Sequence, residues 1–159
     1  MAALRRAAVV TVSDRSARGE RPDTSGPLLA GLLAELGLAV SEVVVVPDDP
    51  HRIAAAVTAA LVDHDLVVTT GGTGISPRDV TPEAVRPLLD REVPGIAEAL
   101  RQQGRDGVPA SVLSRGVAGT VGRALVVTLP GSTGGVRDGV AVLAPVLHHA
   151  LEQLAGGDH

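Results

Sequence analysis

The sequence predicts an α/β fold, a three-layer sandwich in which a mostly parallel sheet is flanked by helices. Three observations carry this. Apolar, β-branched runs of strand length alternate with longer segments of helical periodicity. The runs are apolar throughout, as in strands covered on both faces. Several of them empty into polar loops rich in glycine or aspartate, at the edge where open parallel sheets bind ligands.

Residues 7–12 read as the first strand, ending in Thr11-Val12-Ser13-Asp14-Arg15. After a polar loop, Thr24 or Ser25 caps a helix whose Leu28, Leu29, Leu32, Leu33 and Leu36 form one stripe, with Gly37 at its end. The second strand is read over 40–46 and runs into Pro47-Asp48-Asp49-Pro50; a helix over 51–62 follows. The third strand, 66–70, stops at Gly71, Gly72 and Gly74, which allow φ > 0 and let a ligand lie against bare backbone. A helix restarts at Thr81, read as its N-cap, with Pro82 at the first helical position and Glu83 in the first turn. Arg78 and Asp79 lie between glycines and helix. Strand, glycine turn, charged pair and helix start together describe an anion-binding site.

Helices are expected over 82–91 and 96–103, then an irregular extended segment and turn over 110–123. Residues 124–129 form a clear strand that leads into Pro130-Gly131-Ser132-Thr133-Gly134-Gly135. A last helix over 136–154 carries Val140, Leu143, Val146, Leu147, Ala150 and Leu151 on one face, and 156–159 read as a frayed tail. The expectation is one domain over 1–159.

Composition removes whole classes of chemistry. There is no cysteine, hence no disulfide, thiolate nucleophile or zinc–thiolate site. All 14 cations are arginine, so neither a Schiff base nor a phosphate-binding P-loop lysine exists. Phe, Trp and Tyr are absent, so a heterocycle must be held by backbone, aliphatic side chains or guanidinium planes. That absence and a net charge of −4 with interspersed signs argue against nucleic acid. No apolar run approaches the ~20 residues of a membrane span, and residues 2–12 lack a signal-like cleavage pattern. A cytoplasmic protein without a membrane partner is expected. Neither GxGxxG nor GxSxG occurs.

The chemistry gathers at the strand exits. Asp49 precedes Pro50 and fits a helix N-cap; Asp48 has no such structural assignment and is the functional candidate. Asp48 and Asp79 converging would suit Mg²⁺, which commonly takes one or two carboxylates plus phosphate oxygens. Ser132 and Thr133 offer hydroxyls and N–H groups to an anion, and equally cap the last helix. Ser114 and Arg115 form a hydroxyl–guanidinium pair or a solvated turn. His148 and His149, without ligand-type companions, read as surface or interface residues.

The stretch from Thr70 to Glu83 resembles the signature of the molybdopterin-binding superfamily of molybdenum cofactor synthesis. The resemblance continues through Val9 to Arg15, Pro47-Asp48, Arg91-Glu92-Val93-Pro94-Gly95, Ser111 to Gly116 and Leu129-Pro130-Gly131-Ser132, in order along the chain. Its length looks like the free-standing Mog branch, the molybdopterin adenylyltransferases. That branch implies Mg²⁺-dependent transfer of AMP from ATP to molybdopterin, with release of pyrophosphate. It places the functional, metal-holding aspartates on Asp48 and Asp79. The cofactor-binding set is Ser13, Asp14, Gly71, Gly72, Thr73, Gly74, Arg78, Ser114, Arg115, Gly131, Ser132 and Thr133, with Arg115 or Arg78 supplying charge to phosphates. The resemblance further implies a homotrimer and contact with the molybdate-insertion enzyme. The alternative is a non-catalytic pterin-binding or scaffold module of the MoaB-like sister branch.

Overall fold

The computed structural model describes residues 3–158. Met1 and Ala2, where the amino-terminal stretch begins, and His159 of the expected tail lie outside the described residues. The strands are β1 (Arg6–Val12), β2 (Ala39–Val40), β3 (Val44–Val46), β4 (Leu66–Thr70), β5 (Arg91–Glu92), β6 (Ala118–Val121) and β7 (Ala124–Leu129). The helices are α1 (Asp14–Ala17), α2 (Ser25–Glu35), α3 (Pro50–Leu61), α4 (Thr81–Val85), α5 (Pro94–Arg105), α6 (Thr133–Leu143) and α7 (Leu147–Leu154). They build one seven-stranded sheet in the order β2-β1-β4-β7-β6-β5, with β3 also on β1. The pairs among β1 to β4 and β7 are parallel, and β5-β6-β7 are antiparallel. This is the mostly parallel α/β architecture that the sequence predicts.

Alternation along the central strands sorts side chains into two cores. Val9, Leu66, Val68, Leu125, Val127 and Leu129 face α2, α6 and α7, where Leu29, Leu33, Val136, Leu143, Leu147 and Leu151 meet them. Val10, Val12, Val67 and Val126 face α3 and α4, against Ile53, Val57 and Val85. Leu66, Val67 and Val68 are fully buried, so β4 is the middle of the sandwich. No aromatic ring is needed, because short branched side chains on both sheet faces fill a thin layer.

Several local expectations change. The strand expected over 40–46 is two pieces: Ala7 pairs with Val40, yet Val10 pairs with Val44. One extra residue on the edge strand breaks the ladder, a bulge that apolar composition cannot reveal. The segment 110–123 is more ordered than expected. A 3-10 turn, Pro109–Leu113, leads to β6, which forms a hairpin with β7 through Gly122 at φ 57°. The helix expected over 82–91 ends at Val85 and tightens into a 3-10 turn, Arg86–Leu88, where Pro87 cannot continue the ladder. The last helix divides into α6 and α7 around Pro145 for the same reason. The tail is not frayed through 157: Gly156, at φ 95°, turns the chain and Gly157 N–H donates to Glu152 O at 2.9 Å.

Candidate functional site

The strand carboxyl ends lie level, because register pairs Thr11 with Thr70 and Thr70 with Leu129. Their loops therefore meet at one edge. Ser13 N–H donates to Val46 O at 2.9 Å, Gly71 N–H to Leu129 O at 2.9 Å, and Thr70 Oγ1 to Pro130 O at 2.7 Å. Over this edge opens a cavity of about 1090 Å³. That exceeds the roughly 300–1,000 Å³ of a typical small-molecule site and leaves room for two substrates.

The two glycine loops touch. A Cβ on Gly131 would lie 3.2 Å from Gly71 Cα, and one on Gly71 would strike Val12 O. Gly71 and Gly72 have φ of 109° and 69°, as expected. Gly74 does not have positive φ; its Cβ would stand 2.8 Å from Asp79 Oδ2, so close approach is what excludes a side chain there.

Thr81 is not the helix cap. Helix α4 starts on it, and its hydroxyl instead donates to Gly71 O at 2.9 Å while its N–H donates to Gly72 O at 3.1 Å. Thr81 is fully buried and pins the glycine loop from beneath. Asp79 accepts from Ser76 N–H at 3.0 Å through Oδ2, closing the turn that presents it, while the Asp79 N–H donates to Ser76 O at 2.9 Å. Asp49 is the N-cap of α3, accepting from Arg52 N–H at 3.0 Å with Pro50 next, as expected. At α2 the side-chain cap comes from neither Thr24 nor Ser25: Asp23 Oδ1 accepts from Gly26 N–H at 3.0 Å. Ser13 and Ser132 cap α1 and α6, accepting from Ser16 and Gly135 N–H at 3.2 and 3.0 Å.

Asp14 and Asp48 cross-brace their loops. Asp48 Oδ2 accepts from Asp14 N–H at 3.0 Å, and Asp14 Oδ1 from Asp48 N–H at 2.9 Å. Asp14 Oδ2 also takes Nε and Nη2 of Arg78 at 2.9 and 2.7 Å. Burial works against the Asp14 charge, but the Arg78 hydrogen bond, the Asp48 N–H and the nearby arginine charges hold it below the ordinary carboxylate range. Asp48 goes the other way. Burial pushes it up, and the charges of Asp14 and Asp79 add to that against the Asp14 N–H and Arg78.

Ser13, Asp14, Asp48, Gly71, Gly72, Thr73, Gly74, Asp79, Ser114, Gly131, Ser132 and Thr133 all line the cavity. Arg78 and Arg115 do not. Arg78 is held by Asp14. Arg115 donates Nε to Gly74 O at 2.8 Å, Nη2 to Asp79 O at 2.9 Å and Nη1 to Glu83 at 2.6 Å, and its N–H donates to Thr73 O at 2.8 Å. It is a clamp on the glycine loop, its planar fork matched to backbone carbonyls. The arginines that do line the cavity are Arg15, Arg21 and Arg101, which are not among the residues expected from the sequence. Arg101 Nη1 is engaged by Ser114 O and Gly116 O at 3.3 and 3.2 Å. Among the described residues Arg15 and Arg21 form no ion pair, and only the charge pattern of the loop 15–21 hinted at them. His148 and His149 are remote; His148 Nε2 bonds Leu36 O at 2.8 Å, joining α7 to the end of α2.

The donor set fits a cation shared with substrate. Asp48 and Asp79 present hard oxygen atoms to one cavity, and their mutual repulsion calls for a counter-ion. Among the described residues no group of three or more His, Cys, Asp or Glu side chains forms a metal centre. Two carboxylates are what Mg²⁺ takes when phosphates and water complete its shell.

Residues 8–149 match the family of probable molybdopterin-binding domains. The chain belongs to this family. A crystal structure of a molybdopterin biosynthesis protein from Mycobacterium abscessus is 54% identical with a TM-score of 0.90, over 95% of this chain and 96% of that one. The molybdenum cofactor biosynthesis bifunctional protein of Synechococcus elongatus is 44% identical over 154 residues, 96% of this chain and 48% of that protein. The chain thus spans about half the length of the bifunctional relatives it matches. Molybdenum cofactor biosynthesis protein B of Bacillus cereus is 43% identical over 94% of this chain and 90% of its own length. A molybdopterin adenylyltransferase of Pyrococcus furiosus is 41% identical over 91% of this chain and 88% of its own. These relatives place the family in molybdenum cofactor biosynthesis. Among the described residues no helix is long and apolar enough to cross a membrane.

Proposed function

We propose that the protein transfers AMP from ATP to molybdopterin in the presence of Mg²⁺. An oxygen of the molybdopterin phosphate attacks the α-phosphorus, a new P–O bond forms, and the bond to the β-phosphate oxygen breaks to release pyrophosphate. The observation that carries this reading is the meeting of Asp48 and Asp79 with two glycine loops in one cavity large enough for both substrates. Bound there, Mg²⁺ would neutralise phosphate charge in the transition state.

The remaining work falls to the chain. Glycine-loop N–H groups at 72–74 and 131–134 receive phosphate oxygens, since those of Gly71 and Gly135 are taken by Leu129 O and Ser132 Oγ. Asp48, braced by Asp14, and Asp79, fixed by its turn, hold the carboxylates in place. Arg15 and Arg21 supply positive charge at the mouth, the role that Arg78 and Arg115 are not free to take. Positioning and charge neutralisation suffice for this attack, which suits a site without cysteine or lysine.

The test is incubation with molybdopterin, ATP and Mg²⁺, followed by detection of adenylated molybdopterin and pyrophosphate. Absence of both products with intact molybdopterin would overturn the reading in favour of a pterin-binding module, the role that relatives named protein B leave open. A homotrimer in the cytoplasm, handing product to the molybdate-insertion enzyme, completes the proposal; a subunit mass by light scattering would refute the trimer.

A further inference from the structure

Two arginines stand in series behind Asp79. Arg115 reaches forward, from its side chain to Gly74 O and Asp79 O and from its N–H to Thr73 O. Arg101 reaches the backbone of Arg115 from behind. Its Nη1 donates to the carbonyl oxygens on either side of Arg115, to Ser114 O at 3.3 Å and to Gly116 O at 3.2 Å. The chain of contacts therefore runs from α5, through residues 114–116, to the glycine loop and the turn that presents Asp79.

Helix α5 is built to hold this segment. Ala97, Arg101 and Gly104 recur about a turn apart on one face, with Ala97 and Gly104 buried. Ser111 packs against Gly104, where an added Cβ would lie 3.1 Å from Ser111 Cβ. From that seat the Ser111 hydroxyl donates to Arg101 O at 3.1 Å. Arg101 thus grips the segment at Ser111 through its carbonyl and at Ser114 and Gly116 through its guanidinium. It also lines the cavity, a place where a guanidinium could serve a phosphate instead. Its Nη1, however, is turned to the protein's own carbonyls.

We propose that Arg101 is a positioning residue for Asp79 and acts through Arg115. By fixing the carbonyls that flank Arg115, it lets the Arg115 fork hold Gly74 O and Asp79 O and keeps the Asp79 carboxylate aimed into the cavity. The inference rests on the adenylyl-transfer reading above, in which Asp79 holds Mg²⁺. Geometry sets what each arginine tolerates. Arg115 spreads its bonds over separate nitrogens, whereas Arg101 serves both carbonyls from one. A lysine ammonium is a point donor, so it can replace Arg101 but not Arg115.

The first experiment measures amide hydrogen exchange in the protein alone, without ATP, metal or molybdopterin, so a failure of adenylyl transfer and a failure of this inference read out separately. Two amides report on the loop: Arg115 N–H, which donates to Thr73 O, and Thr81 N–H, which donates to Gly72 O. In Arg101→Met both should exchange about tenfold or more faster, the scale of a lost hydrogen bond, while Val68 in the middle of β4 exchanges as in wild type. Arg101→Lys should stay close to wild type at all three. If Arg101→Met does not fold, Arg101→Gln gives the same comparison. The second experiment is calorimetry of ATP binding, in which Arg101→Met should need about tenfold more Mg²⁺ for its half-maximal effect, the scale of a lost outer-shell support, with metal-free affinity unchanged. A wild type indifferent to Mg²⁺ refutes the adenylyl-transfer reading and leaves exchange to decide this one. Unchanged exchange at Arg115 and Thr81, equal quickening at Val68, or Arg101→Lys as disturbed as Arg101→Met overturns the proposal. So does an ATP affinity that falls equally with and without Mg²⁺, since that assigns Arg101 to phosphate.

Discussion

Replacing Arg115 by lysine keeps the charge and removes the fork. In the native chain the guanidinium spans Gly74 O and Asp79 O from two different nitrogens, at 2.8 and 2.9 Å, and holds Glu83 with the third at 2.6 Å. An ammonium is a point donor and can retain the Glu83 pair, but cannot bridge both carbonyls. Hydrogen bonds to charged groups contribute roughly 1.5–3 kcal/mol each. Here 39% of the Arg115 side chain is exposed, so water replaces part of the loss. Two carbonyl bonds at the low end, discounted for solvent, give about 1–3 kcal/mol in total. For a chain of this size each kcal/mol lowers the melting temperature by about 2–4 °C, so Arg115→Lys should melt about 3–10 °C below wild type. The loss is local, and tryptic cleavage at Arg78 should accelerate before the global transition moves. Adenylyl transfer should fall with the loss of loop order. A variant that melts within about 1 °C of wild type, resists trypsin equally and loses only ATP affinity would show that Arg115 serves phosphate, refuting the clamp.

Further outcomes follow from the same geometry. Asp79→Asn retains an oxygen for Ser76 N–H and should leave the melting temperature nearly unchanged. It should cut adenylyl transfer at least about a hundredfold and make ATP binding indifferent to Mg²⁺, measured by calorimetry with and without the metal. Asp48 titrates above its unfolded value, so its folding contribution is complete below the ordinary carboxylate range and is lost as pH rises through the raised value. Without Mg²⁺, Asp48→Asn should therefore be more stable than wild type at neutral pH, with the difference vanishing in acid; denaturant melts across pH check the sign. Thr69, fully buried in β4, has a hydroxyl without a hydrogen-bond partner among the described residues. Thr69→Val keeps the shape, removes a desolvated group worth about 1–3 kcal/mol and should raise the melting temperature by at least about 2 °C by calorimetry.

The alternation of apolar runs with helical stripes was enough to specify the layered α/β fold, because burial on both faces of β4 admits little but Val, Leu and Thr. Asp48 was separable from Asp49 in the sequence, since Asp49-Pro50 is a helix-start signal and the structure shows that cap formed. The glycine positions were legible as well, though Gly74 is small for its contact with Asp79 rather than for its backbone angle. What the sequence did not contain was the pairing of charges. Arg78 and Arg115 stand beside the glycine loop in the chain or in motif order, yet Asp14, 64 residues from Arg78, and Glu83 decide where their guanidinium groups go. Arg15 and Arg21 line the cavity instead. Periodicity and turn chemistry act over a few residues and can be read locally. The direction of a long charged side chain depends on which opposite charge the fold delivers, and only the tertiary structure decides that.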